Sequence, residues 1–114
     1  MEKPDAFVPL KTNSFHVLVS LSDGEQHGYA IMQDVLERTE GKVRLWPATL
    51  YGTLKKLLED GLIEEVAVRP GAVVDDARRR NYRLTVLGRK VLALETKRLR
   101  ELVRFLDART QEAR

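Results

Sequence analysis

The sequence predicts a mainly α fold that carries one small β-hairpin and ends in a long helix. Three observations predict it. Apolar residues recur at helical spacing up to Gly61, the pattern turns to strand-like alternation beyond it, and no proline or glycine interrupts the chain after Gly88. At 114 residues the chain builds one core rather than two. Its 43% hydrophobic and 32% charged residues are the composition of a globular protein, not a disordered one.

Phe7 to Leu21 reads as the first helix, with Phe7, Leu10, Phe15, Leu18, Val19 and Leu21 as an irregular apolar face. Pro9 then lies in its first turn or ahead of it. Ser22 to Gly28 is turn chemistry and ends that helix. Tyr29 to Thr39 is a second helix, with Ile31, Met32, Val35 and Leu36 on one side. Glu40 and Gly41 break it, and Val43 to Leu45 are expected to form a short strand. The third helix runs from Pro47 to Asp60: proline suits the first turn, where its missing N–H costs nothing, and Gly61 suits the left-handed stop. Leu50, Leu54, Leu57 and Leu58 follow the spacing of a stripe that faces a core.

Ile63, Val66, Ala67 and Val68 begin an extended run that stops at Pro70-Gly71. A loop from Pro70 to Ala77, with Asp75 and Asp76, leads into Arg78 to Thr85, where Arg80, Tyr82 and Leu84 share one strand face. Two strands joined in this way make a hairpin. Thr85 offers its hydroxyl as the cap of the last helix, which extends about 40 Å at 1.5 Å per residue. Three helices, a two-stranded wing and a long helix are, in that order, a winged helix-turn-helix with a terminal extension.

Several function classes are excluded or disfavoured. The chain has no cysteine, hence no disulfide, thiolate metal site or cysteine nucleophile. His16 and His27 form no ligand set; His16 reads as an ordinary packed side chain and His27 as structural at the turn. Glycine-rich phosphate loops, GxSxG elbows and paired-histidine zinc motifs are missing, so neither an enzyme nor a cofactor is expected. With no apolar h-region at the amino end and no run of eighteen apolar residues, the expectation is a soluble cytoplasmic protein with no membrane partner. Charge is uneven: residues 78–114 hold 12 Lys/Arg against 4 Asp/Glu, a net +8, whereas residues 1–77 hold 8 against 13, a net −5. That asymmetry points to a polyanionic partner for part of the surface, or simply to a solvated Arg-rich helix.

The outer face of the third helix carries Thr49, Tyr51, Thr53, Lys55 and Lys56. Short hydroxylated side chains near a helix N-terminus, with lysines behind them, suit entry into a major groove and anchorage on phosphates. Thr49 is placed to reach a base edge or thymine methyl, Tyr51 a phosphate or a base, and Lys55 and Lys56 phosphates. The plainer alternative is an amphipathic helix with a solvated face. Around the wing, Arg69, Arg78 and Arg79 are candidates for a narrow minor groove; Arg80 either joins them or pairs with a carboxylate. Asp75 and Asp76 favour approach by the base of the wing over its tip.

In the last helix, Leu92, Leu99, Leu102, Val103 and Leu106 form a coiled-coil-like stripe, with Phe105 beside it. So small a core cannot cover that stripe, and a homodimer is the economical solution. With double-stranded DNA as the partner of a winged helix-turn-helix, two-fold symmetry implies a pseudo-palindromic site, its half-sites about 34 Å apart.

Three segments, DGEQHGYAI at 23–31, ATLYGTLKKLLEDGLI at 48–63 and RRRNYRLTVLGRKVL at 78–92, closely resemble the PadR family of bacterial transcriptional regulators. The likeness spans most of residues 10–95, and the single terminal helix is similar to the shorter PadR subgroup. It implies a winged helix-turn-helix DNA-binding domain over 1–85, a dimerisation helix over 86–114 and a homodimeric repressor. It also favours a phosphate contact for Tyr29. Trp46-Pro47 departs from the small polar residues that many relatives carry there. A small-molecule effector between the dimerisation helices and the core has Phe15, Trp46 and Phe105 as candidate walls; simple packing is the plainer role of each. The competing function is a winged-helix protein-interaction module with no DNA binding.

Overall fold

The structure, a computed structural model, describes residues 3–66 and 80–112. A 3-10 turn at Pro4–Phe7 precedes α1 (Thr12–Leu21), β1 (Gln26–His27), α2 (Gly28–Arg38), α3 (Pro47–Glu59), β2 (Ile63–Glu65), β3 (Asn81–Leu84) and α4 (Val86–Glu112). The expected mainly α winged fold is present, with three departures from the predicted elements.

The first helix starts at Thr12, not Phe7. Pro4 opens a separate 3-10 turn, and the Val8–Pro9 peptide bond is cis, so Pro9 lies ahead of the helix. Val43–Leu45 forms no strand. The Thr39 hydroxyl accepts the Val43 N–H at 3.0 Å, and Glu40 and Gly41 both take positive φ, so the chain turns sharply and delivers Leu45 into the core without pairing. Finally, the hairpin is part of a three-stranded antiparallel sheet of order β1-β3-β2. Gln26 and His27, read as turn residues, pair with Tyr82 and Asn81 of the central strand, while Ile63, Glu64 and Glu65 pair with Leu84, Arg83 and Tyr82. Two polar residues carry no alternation to read; their strand character comes wholly from the free edge of β3. The predicted strand residues Ala67 and Val68, the loop Pro70–Ala77 and the wing arginines Arg69, Arg78 and Arg79 lie outside the described residues.

Elsewhere the predicted periodicities become packing. Leu50, Leu54 and Leu57 of α3 are buried and Leu58 half-buried, against Val17, Leu18 and Leu21 of α1, Ile31 and Val35 of α2 and Val91 of α4. Tyr82 and Leu84 bury one face of β3 while Asn81 and Arg83 face out. α3 ends in a Schellman stop: Gly61, at φ +75°, donates its N–H to Leu58 O, and Leu62 donates to Leu57 O.

That stop is also the seat of α4. Thr85 donates its N–H to Leu62 O at 3.1 Å and its hydroxyl to Gly61 O at 2.6 Å, and the same hydroxyl accepts the Gly88 N–H at 3.0 Å as the predicted cap. Gly88 makes the approach possible, since a Cβ there would stand 1.9 Å from Leu62 O. The obstacle is backbone, which cannot swing aside as a side chain would. Gly88→Ala is therefore expected to destabilise the fold by about 2 kcal/mol or more, lowering Tm by roughly 10 °C. A thermal melt of the variant that matches the parent chain would disprove this seat.

Candidate nucleic-acid interface

With its leucine row buried, α3 turns its other faces to solvent, and two clefts flank it. One, of about 360 Å³, runs between Thr49, Gly52, Thr53 and Lys56 and the start of α1 at Lys11–Ser14. The other, of about 290 Å³, runs between Tyr51 and Lys55 and the sheet at Glu65, Arg80 and Tyr82. The polar face predicted as one surface is thus divided. Thr49 is exposed and free to reach outward. The Thr53 hydroxyl donates back to Thr49 O at 2.9 Å, which leaves its oxygen only as an acceptor. Tyr51 is half-buried and packs on the core, so only part of its ring faces the second cleft.

The cations differ in how much of their charge is available. Lys56 pairs with Asp60 one turn along at 3.1 Å, Arg80 with Glu65 at 3.2 Å and Arg83 with Glu64 at 2.8 Å. Of the two roles left open for Arg80, the carboxylate partner is the one found. Lys11, Arg44 and Lys55 have no ion-pair partner among the described residues. Arg44 instead sits over the Trp46 ring, its Cζ 4.8 Å from the centroid. Sequence reasoning passed over Lys11, whose place beside α3 is a tertiary fact with no signal in local spacing.

The remaining candidates are scattered. Tyr29, second residue of α2, is 52% exposed. His27 caps that helix, its Nδ1 accepting the Ala30 N–H at 3.1 Å, which is the structural role expected at the turn. Of the proposed effector walls, Phe15 is half-buried and meets His16 edge-on, Trp46 is 61% exposed, and Phe105 is exposed beneath Arg109. None of them lines the clefts beside α3 or the third cleft, of about 600 Å³, between Phe7 and Leu57.

α4 divides into a seated half and a projecting half. Leu87, Val91 and Leu92 pack on the core, and Leu99 is half-buried. Leu102, Val103 and Leu106 then stand 45%, 55% and 58% exposed. Between the halves Glu95 is almost wholly buried: its Oε2 accepts the Leu10 N–H at 2.6 Å, and its Oε1 accepts from Arg98. The Arg98 bond lowers its pKa, burial opposes that, and the Leu10 N–H lowers it further, so the carboxylate stays charged. This bond straps the amino-terminal segment across α4. No helix among the described residues is long and apolar enough to cross a membrane.

The sequence model of the transcriptional regulator PadR-like family matches residues 17–94. The chain belongs to that family. Among its relatives, "Transcriptional regulator Rv3488" of Mycobacterium tuberculosis is 38% identical over 89 residues, which are 78% of this chain and 77% of the relative. A PadR family transcription regulator from Clostridium difficile shares the fold, with a TM-score of 0.70 at 21% identity over 86% of this chain and 97% of the other. Bacillus subtilis PadR, solved in complex with operator DNA, gives a TM-score of 0.61 at 25% identity, covering 73% of this chain and 46% of its own. The protein is thus a PadR-like transcriptional regulator with a winged helix fold.

In this PadR-like chain the joint between α1 and α2 is polar. Ser20, fully buried, donates its hydroxyl to Asp34 Oδ2, and Arg38 bridges Asp34 at 3.1 Å and Asp23 at 3.0 Å. Burial alone would raise the Asp34 pKa, but the Ser20 and Arg38 hydrogen bonds, with the guanidinium charge, bring it below the ordinary carboxylate value. A depressed folded pKa contributes stability that is present above the unfolded value, near 4, and is lost as pH falls through the folded value. Ser20→Ala should therefore cost about 1.5–3 kcal/mol at pH 7, the range for a hydrogen bond to a charged group. The gap between variant and parent should narrow below about pH 4 in parallel denaturation curves; a gap independent of pH would remove Asp34 from the explanation.

Proposed function

We propose that this regulator is a homodimeric repressor that occupies pseudo-palindromic operator DNA, presenting α3 of each protomer to a major groove. The observation that carries the reading is α3 itself. Its apolar row is consumed by the core, while Thr49 and Lys55 stand clear and Lys11 adds a second unpaired cation across the cleft. Thr49 is the base-edge candidate, Lys55 and Lys56 are phosphate anchors, and Thr53 offers a methyl. Tyr29 and the wing arginines Arg69, Arg78 and Arg79 complete the proposed contacts. The relative solved on operator DNA supports DNA as the partner.

Dimerisation rests on the projecting half of α4. Isolated helices gain little stability in water, and Leu102, Val103 and Leu106 present apolar area that a second copy would cover at about 25 cal/mol per Å². Leu92 and Leu99 extend the stripe towards the core. Release by a small-molecule effector is the regulatory part of the proposal. Phe15, Trp46 and Phe105 line none of the three clefts described, and a pocket walled by them is proposed to need the second protomer.

Replacing Leu102 and Leu106 together by Asp should leave the winged core folded and yield monomers by light scattering. A parent chain that is monomeric at every concentration would reject the dimer. Lys55→Ala combined with Lys56→Ala should weaken binding to all duplexes alike and flatten log K against log salt by about one to two units, with Lys55 carrying more of the effect because Asp60 already occupies Lys56. Selection of bound sequences from random duplexes would then return paired half-sites; no affinity for duplex, with a salt-insensitive protein complex instead, would favour an interaction module.

A further inference from the structure

We infer that Arg44 and Trp46 form a second DNA contact, in which the guanidinium holds a backbone phosphate and the indole lies on the adjoining deoxyribose, at the edge of the groove that α3 enters. The inference rests on the DNA-binding reading above and adds two residues that this chain places at the amino end of α3.

Trp46 occupies the N-cap of α3, a position where Ser, Thr, Asn or Asp would accept a free helix N–H. Its backbone has the extended conformation of an N-cap, φ −67° and ψ 155°, yet no side-chain capping bond is made. Burial does not explain the residue either, since 61% of it is exposed. A large aromatic that neither caps nor packs contradicts local preference at the point where the helix presents its first residues, and such contradictions mark functional positions. Leu45 next to it does the packing: it is buried while Arg44 and Trp46 on either side face outward.

Arg44 shows what the pair is built to meet. Its guanidinium carbon lies 4.8 Å from the indole centroid, and no carboxylate pairs with it among the described residues. The first turn of α3 contains no acidic residue to neutralise it. The charge over the ring is therefore not matched by an anion of the described residues, and two guanidinium N–H donors match the oxygens of a phosphate. Thr49 stands one turn further on, and Lys11 and Lys56 line the adjoining cleft. The surroundings therefore suit a polyanion.

The form of the contact follows from the shape of the site. Both residues are exposed, Trp46 by 61%, so the pair offers an open surface of the kind that meets a macromolecule more readily than it encloses a small one. Paired bases hide their faces in the duplex stack, so an indole entering from outside meets the sugar rim and, in the major groove, a thymine methyl. On this assignment Trp46 serves DNA rather than an effector.

The test uses the full chain and a duplex carrying its selected site, with a scrambled duplex beside it. As the chain has a single tryptophan, emission reports this position alone. Expected are a change in Trp46 emission that saturates with duplex, a loss of about tenfold in affinity for Trp46→Ser, and a salt slope about one unit shallower for Arg44→Ala. Trp46→Ser should melt no lower than the parent, because serine supplies the missing cap; a purely structural tryptophan would behave in the opposite way. If duplex binds the parent chain but emission, affinity and salt slope all stay unchanged, the contact is overturned while the α3 reading stands. If the parent binds no duplex, both fall. If either variant lowers the dimer mass, the pair belongs to the interface between copies and the assignment is likewise overturned.

Discussion

The architecture turns on a few backbone atoms where α3 stops. Gly61 and Leu62 terminate α3, start β2 and receive the beginning of α4 through Thr85 and the bare Cα of Gly88. Three elements with different tasks are thereby fixed to one turn: the helix proposed to read DNA, the sheet that carries the wing, and the helix proposed to join two copies. Such a seat has little give, because its contacts are between backbones or through the short Thr85 hydroxyl.

The strap at Glu95 reinforces the same coupling from the other side. A buried carboxylate is tolerated only when its oxygens are satisfied, and here one is held by the Leu10 N–H and the other by Arg98. It therefore fixes the amino-terminal segment to the point where α4 leaves the core. Lys11, which follows Leu10 directly, is thereby held beside Thr49 and Lys56. α4, the amino-terminal strap and the outer face of α3 form one connected frame.

Much of this frame was legible in the chain, for identifiable reasons. The α3 leucines, the Pro47 start, the Gly61 stop and the Thr85 cap are local devices whose meaning lies within four or five residues, and each is found as read. What escaped reading is non-local. β1 exists because β3 has a free edge, and the Leu10–Glu95 bond joins residues 85 apart; the failed Val43–Leu45 strand is the local exception, its first N–H taken by the Thr39 hydroxyl four residues earlier. The first helix was overextended because apolar residues of the 3-10 turn and of α1 fall by chance into one helical pattern across Pro9. At the candidate site, residue types on α3 were legible, but the division of its face between two clefts was not.

Charge shows most plainly why composition alone misplaces a site. The net positive third of the sequence, residues 78–114, contributes Arg80 and Arg83 to the sheet, where both are matched by glutamates of β2. Carboxylates of the net negative remainder are engaged in the same way: Asp23 and Asp34 with Arg38, Asp60 with Lys56, Glu64 and Glu65 with those arginines. The cations this pairing leaves over near α3, among the described residues, are Lys11, Arg44 and Lys55, opposed there by the unpaired Glu59 beside Lys55, and all three come from residues 1–77, whose net charge is −5. A partner's phosphates respond to the field left after neighbours have neutralised one another, at distances within a Debye length of about 8–10 Å. The folded pairing pattern, and not the sum of charges along the chain, therefore decides which face of this regulator attracts a polyanion.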